Sequence, residues 1–278
     1  MKKIGFMHFG DAQEEVNPVV EAPKIETPTK SLVKIHFHES GKELSYYNDR
    51  FTLAKGDVVY VSGKMAGEAG VVVSVSTKFR IHTTDYQKVI AKLDLEFHGD
   101  FIRLQDKMVS LDDVCITPAK FESWVIPPVE EKKKKDEDED PDEIISGEGY
   151  TIDLNNIEAC EDLTEAIGHR AIDYCMEGRV RYLSIQGGKG CAFVEGTKWY
   201  RVDFRYEDGL VTDLFCDCPY PGLCKHAVAV VLNLRMLSKQ PEMKMDSDFV
   251  ALDRWLFWKL ASRSEKISVY TISDPACR

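Results

Sequence analysis

The sequence predicts an α+β protein: an N-terminal all-β, barrel-like domain, a charged linker and a small C-terminal α+β domain. Three observations carry that reading. The first 126 residues hold repeated β-branched runs separated by short glycine-containing turns. Residues 127–149 are a run of proline, lysine and acidic residues that cannot bury apolar area. Residues 150–278 mix helical and strand patterns around a dense group of cysteines.

At 278 residues the chain has room for two cores, and 44% hydrophobic with 30% charged residues is ordinary for a globular protein. A formal net charge of -11 argues against a chain that coats nucleic acid through bulk electrostatics, but leaves room for a local basic face. No apolar run is long enough for a membrane span. The start, MKKIGFMHFGD, lacks the apolar region of a secretory signal, and the scattered cysteines suit a reducing compartment. The expected location is cytoplasmic.

Taken in order, residues 4–9 are a strand candidate, and the Pro- and Glu-rich stretch after them, to residue 30, is a tether. Residues 31–47 read as a hairpin turning at Ser40 and Gly41. His36 and His38 share one face of its first strand, but no third ligand is near, so they read as half-exposed strand histidines. Residues 58–61 and 71–75 are strands linked through Gly63, Gly67 and Gly70. Val89, Ala91, Leu93, Leu95 and Phe97 alternate, break at His98, Gly99 and Asp100, and resume over 101–111. That pattern predicts a second hairpin with the odd positions inward. Gly63-Lys64-Met65 and the run Gln186 to Gly190 lack the spacing of a phosphate loop, and no hydrolase, metalloprotease or ATPase signature occurs.

Beyond the linker, Asn155 or Asn156 is placed to cap a helix through 159–175, with Gly178 just past its end. Ala166, Arg170, Ala171 and Tyr174 form its expected stripe, and His169 its exposed side. Four short strands follow at 179–185, 191–195, 199–206 and 210–215. In the third, Tyr200, Val202, Phe204 and Tyr206 take one face, and Trp199, Arg201, Asp203 and Arg205 the other. The first set reads as core. The second suits phosphate contact and base stacking, extended by Arg179, Arg181, Lys189, Lys198 and Lys225, although Asp203 can equally pair an arginine in an ordinary sheet surface. A buried helix is expected at 227–237, another helix at 247–262 bearing Phe249, Leu252, Trp255, Leu256, Trp258 and Leu260, and a last strand at 266–273.

The chemistry concentrates at residues 215–231, FCDCPYPGLCKHAVAVV. Cys216, Cys218, Cys224 and His226 stand in the spacing C-x-C-x5-C-x-H. Three thiols and an imidazole are a ligand set for a tetrahedral structural zinc. Extended backbone aims Cys216 and Cys218 the same way, and Pro219, Tyr220, Pro221 and Gly222 supply the turn that returns Cys224 and His226. With all four positions filled by protein, one zinc would hold structure and not react.

This stretch resembles the SWIM zinc fingers, whose C-x-C-P and C-K-H halves are matched by Cys216-Asp217-Cys218-Pro219 and Cys224-Lys225-His226. The likeness covers about residues 160–237, closely in the clasp and more loosely in the helix and small sheet before it. It implies a non-catalytic zinc module, a class found in bacterial Snf-type helicases, Mutator-type transposases and recombination accessory proteins, and credited with binding DNA or protein. The expected function is therefore a non-enzymatic DNA-binding or accessory factor, partnered with DNA or with a protein such as a helicase, transposase or recombinase. The alternative is a zinc-stabilised protein–protein adaptor.

Overall fold

A computed structural model describes residues 30–126, 149–263 and 268–273. The strand candidate at 4–9, the tether before residue 30 and linker residues 127–148 lie outside the described residues. The elements run β1 (Ser31–Phe37), β2 (Lys42–Asn48), β3 (Val58–Val61), β4 (Gly70–Ser76), β5 (Val89–Leu93), β6 (His98–Leu104), β7 (Lys107–Leu111) and α1 (Pro118–Val125). After the linker come β8 (Tyr150–Asp153), α2 (Glu165–Met176), β9 (Val180–Gln186), β10 (Lys189–Glu195), β11 (Trp199–Glu207) and β12 (Leu210–Cys216). The chain continues through α3 (Lys225–Ser238), β13 (Phe249–Asp253), α4 (Arg254–Arg263) and β14 (Ser268–Ser273).

The β-rich reading of the first half holds, but its barrel does not. Strands β2-β1-β4-β3-β5 form a five-stranded sheet that stays open. Its outer strands meet, among the described residues, at one bridge between Tyr47 and Lys88, so the sheet curls without closing. The expected turn at His98–Asp100 is also displaced: those residues are β6 itself. The hairpin joins β6 to β7 through Gln105 and Asp106, with Gln105 at φ 55°. β5 instead pairs with β3. Nor is the first half purely β, because Thr117 caps α1 by accepting the Lys120 amide, and Pro118 opens the helix.

A nine-stranded sheet, β14-β6-β7-β13-β9-β10-β11-β12-β8, dominates the fold. It is antiparallel except where β14 runs parallel to β6. β13 lies between β7 and β9, so strands from before and after the linker share one sheet. The division of the sequence at residue 127 is not a division of the sheets. Buried Lys107 reinforces the join by donating to the Val180 carbonyl at 2.6 Å. β13 reads FVALD with every residue buried. A strand covered on both faces loses the alternation that marks strands in sequence, which is why 247–262 reads as one helix.

Helices α2 and α3 cover one face of this sheet around Val202, Phe204, Leu183, Ala192 and Ala251. Helices α1 and α4 and the five-stranded sheet cover part of the other, around Tyr182, Phe193, Phe121, Phe257 and Tyr60. Tyr182 donates to the Ile116 carbonyl and Tyr60 to that of Trp124, both at 2.7 Å, pinning α1 between the sheets. In α2 the buried stripe is Ile167, Ala171 and Cys175, while Ala166 and Arg170 are exposed. Thr164, not Asn155 or Asn156, caps α2; Asn156 precedes a separate 3-10 turn.

Candidate metal centre

The end of β12, next to the edge strand β8 of the nine-stranded sheet, delivers the first thiol, and a helix N-terminus delivers the last two candidate ligands. Cys216 ends β12, and Cys218 follows two residues later on the same side of the extended chain. Cys224 is the N-cap of α3, its sulfur accepting the Ala227 amide at 3.4 Å. His226 lies in the first helical turn and is buried. The three sulfurs and one imidazole nitrogen all fall within 4.8 Å of one another. His226 Nδ1 is 3.9 Å from Cys216 Sγ and 3.8 Å from Cys224 Sγ. A tetrahedral zinc with ordinary Zn–S and Zn–N bonds separates its donors by roughly 3.5–3.8 Å. The donor set fits.

Its electrostatics fit as well. The Cys224 thiol is driven well below the usual thiol range, first by the hydrogen bond from Cys216, then by His226 and the Ala227 amide. Cys216 is pushed up, first by its role as the hydrogen-bond donor to Cys224 and then by burial, and Cys218 is pushed up by burial. Hydrogen bonding to Cys224 and burial at Cys216, and burial at Cys218, thus favour the neutral thiols there. A divalent cation held by these residues would offset that cost by neutralising the thiolates, and its binding would release protons. The amides of Cys218 and Tyr220 already favour thiolates at Cys216 and Cys218.

The imidazole is oriented by rings. Tyr200 stacks on it with centroids 4.2 Å apart and planes 21° apart, and Tyr174 meets it edge-on at 5.3 Å. Its Nε2 is buried with no hydrogen-bond partner among the described residues. The Tyr200 hydroxyl is fixed by Thr197 at 2.9 Å. Asn233, inside α3, donates to the Ala229 carbonyl and to Cys175 Sγ, tying α3 to α2 behind the clasp.

The six residues expected to form a nucleic-acid face separate into two groups, three on the α1 side and two beside the clasp, with Arg181 apart from both. Trp199, Arg201 and Arg205 project from β11 toward the α1 side of the sheet, as the alternation requires. Trp199 packs edge-on against Phe121 at 6.0 Å. Arg201 makes hydrogen bonds of 2.8–3.1 Å to Asp203 and approaches Glu122 at 3.8 Å, and these partners raise its pKa further. Arg205 pairs with Asp213 at 2.9 Å. Phe215, 53% exposed, lies opposite Asp203 on the same face. In the sequence it reads as an ordinary strand residue; only the register with β11 puts it outside.

Lys225 and Arg179 belong to the clasp side. They approach one ring, Tyr174, at 4.4 and 5.1 Å. Lys198 lies 5.4 Å from Tyr200, whose ring stacks on His226. Arg179 has Glu177 as a partner, whereas Lys198 and Lys225 pair with no carboxylate among the described residues. Arg181 is turned inward, bound to Glu195 at 2.7 Å and Asp253 at 3.0 Å. Lys189 lines a polar groove of about 660 Å³ with Arg205, Glu207 and Asp208. His36 and His38 touch edge-on at 4.7 Å, and the cysteine–histidine clasp remains the metal-binding cluster among the described residues.

Fold and site together define a small binding module whose strand end and helix start are stapled by a Cys3His donor set. Residues 200–235, from β11 to the last turns of α3, match the SWIM zinc finger family. The chain therefore carries a SWIM zinc finger, and its cluster of Cys216, Cys218, Cys224 and His226 is consistent with a zinc site. No curated protein and no solved structure matches the chain. No helix among the described residues is long and apolar enough to cross a membrane.

Proposed function

We propose that this protein is a non-enzymatic, zinc-stapled nucleic-acid-binding module that serves a separately encoded helicase, transposase or recombinase. One zinc, held by Cys216, Cys218, Cys224 and His226, locks the start of α3 onto the end of β12; when bound it supplies structure and no open coordination position. The observation that carries the reading is the cluster beside the clasp. Lys225 and Arg179 share the Tyr174 ring, Lys198 rides on Tyr200, and two of those three cations have no carboxylate among the described residues to neutralise them. A locally positive, aromatic-backed surface attracts a phosphate backbone even on an acidic chain.

The test is titration of labelled single-stranded and duplex DNA against metal-loaded protein across a salt series. Lys225→Glu with Arg179→Glu is expected to weaken binding at least about tenfold. It should also flatten the log–log salt slope by about 0.7 for each single-strand phosphate that the protein no longer neutralises. Absence of binding by the unaltered protein at low salt would sink this reading.

A second reading, the protein adaptor, is favoured by the other face. There Arg201 and Arg205 are neutralised by Asp203 and Asp213 beside exposed Phe215, a charge-balanced surface better suited to a protein than to phosphate. A partner retained after nuclease treatment, and released by Phe215→Ser, would favour it.

A further inference from the structure

The basic and aromatic side chains at the clasp do not stop there. Arg179, which shares Tyr174 with Lys225, sits immediately before β9, and its carbonyl accepts the Glu195 amide at 2.8 Å. The Glu195 carboxylate holds Arg181 at 2.7 Å, and Arg181 lies 5.6 Å from the Trp255 ring centre on α4. Lys259, one helical turn on, approaches the same ring at 4.8 Å. A backbone link from Arg179 to Glu195, and then the side-chain contacts of Glu195 with Arg181 and of Arg181 with Trp255, connect the start of β9 to α4.

At the far end α4 presents Trp255 and Trp258, 59% and 48% exposed, at a spacing that puts both on one helix face. The inward side of that helix is filled by Leu256, Phe257 and Leu260, so the tryptophans are surplus to the core. Arg254, exposed beside them, pairs with no carboxylate among the described residues. Two exposed indoles beside Arg254, with Lys259 paired to Glu39 and Arg181 to Glu195 and Asp253, suit a ligand that brings flat faces first and negative charge second.

We propose that Trp255 and Trp258 extend the clasp-side cluster into a track for single-stranded nucleic acid, serving as platforms on which unpaired bases stack. This rests on the nucleic-acid reading above and adds its substrate class and path. A duplex keeps its bases stacked on one another and offers the indoles little, whereas a single strand can splay bases onto them at a stacking cost it has already met. The guanidinium of Arg181 is held by Glu195 and Asp253, so this end of the track contributes ring surface more than net charge. Stacking and phosphate binding should therefore separate experimentally.

The experiment titrates metal-loaded full-length protein with oligo-dT of about 16 nucleotides, within the usual site size of a stacking groove, and with a duplex of equal length. Tryptophan fluorescence and anisotropy are read together. The chain has four tryptophans. Trp124 is buried and Trp199 packs on Phe121, so quenching reports mainly on α4. Trp255→Ala with Trp258→Ala is expected to remove the quench and weaken oligo-dT binding roughly 5- to 150-fold per stacked base, leaving the salt slope unchanged. Trp255→Phe keeps a ring and should stay close to the unaltered protein, and equal metal content shows that each variant is folded. If the double alanine variant binds as tightly as the unaltered protein while Lys225→Glu weakens binding, the track ends at the clasp and the proposal is wrong. Preference for the duplex, or capture of a nuclease-resistant protein partner by the tryptophans without any oligo-dT quench, would also overturn it. No DNA binding by the unaltered protein removes the parent reading, and the track with it.

Discussion

The two faces of the nine-stranded sheet carry arginines and aromatic rings in different company. On the α1 side, Arg201 and Arg205 are each held by an aspartate, and Trp199 leans on the buried Phe121. On the clasp side, Lys198 and Lys225 lie over tyrosine rings with no carboxylate partner among the described residues. Composition is similar; availability is not. A guanidinium that already has a carboxylate must give up that bond before it can take a phosphate, whereas an unpaired ammonium gives up only water. The difference moves the candidate nucleic-acid surface from the strand face that sequence alternation highlights to the helix side beside the cysteine–histidine cluster.

Removing the staple should have the largest effect and confine it to one region. Cys224→Ser removes one of the four candidate metal ligands while leaving a hydroxyl that can still cap α3. Structural zinc sites bind with on the order of 10 kcal/mol, so loss of the metal should open the end of β12 and the first turns of α3. Hydrogen exchange is expected to rise there and at the Tyr174 cluster, with metal content falling to zero, while the five-stranded sheet keeps its protection. Uniform deprotection of both sheets would mean the clasp supports the whole molecule and not one face.

The α1 face should respond in the opposite sense, with stability reduced and metal kept. Phe121 is fully buried against Tyr182 at 4.7 Å and Phe193 at 5.3 Å. Phe121→Ala is expected to cost about 3–5 kcal/mol in a urea melt without changing metal content. A fall in metal content to match would show that the two faces are not independent.

A smaller effect should appear at alkaline pH. Burial raises the Cys191 thiol from 9.0 to about 12, and the Cys115 thiol to about 11. The fold favours the protonated forms, so their contribution is complete below about pH 9 and is lost as pH rises toward those folded-state values. Urea midpoints should fall across that window, and Cys191→Ala should flatten the fall relative to its own neutral-pH value. An unchanged alkaline limb in the variant would locate the titrating group elsewhere.

The clasp was legible in the sequence because its four ligands occupy eleven residues, and local chain geometry suffices to bring them together. The strands from β9 to β12 were legible for a similar reason, since short hairpins and clean alternation are local signals. What escaped is set by distant partners. β13 takes its strand conformation from β7 and β9, both distant from it in sequence, and both its faces are covered. The open curl of the first sheet depends on whether β2 and β5 meet, which no residue in either strand dictates alone. The alternation of β11 assigned Arg201 and Arg205 to one face correctly, but Asp213 and Glu122 reach them from other elements.

The most direct test sets the two faces against each other in one DNA titration. Lys225→Glu with Arg179→Glu is compared with Arg201→Glu with Arg205→Glu, at equal metal content and across the same salt series. The clasp-side pair should weaken affinity at least about tenfold with a flatter salt slope, and the β11 pair no more than about twofold, because its charges are already neutralised. The reverse ranking would return the binding surface to β11 and contradict the account.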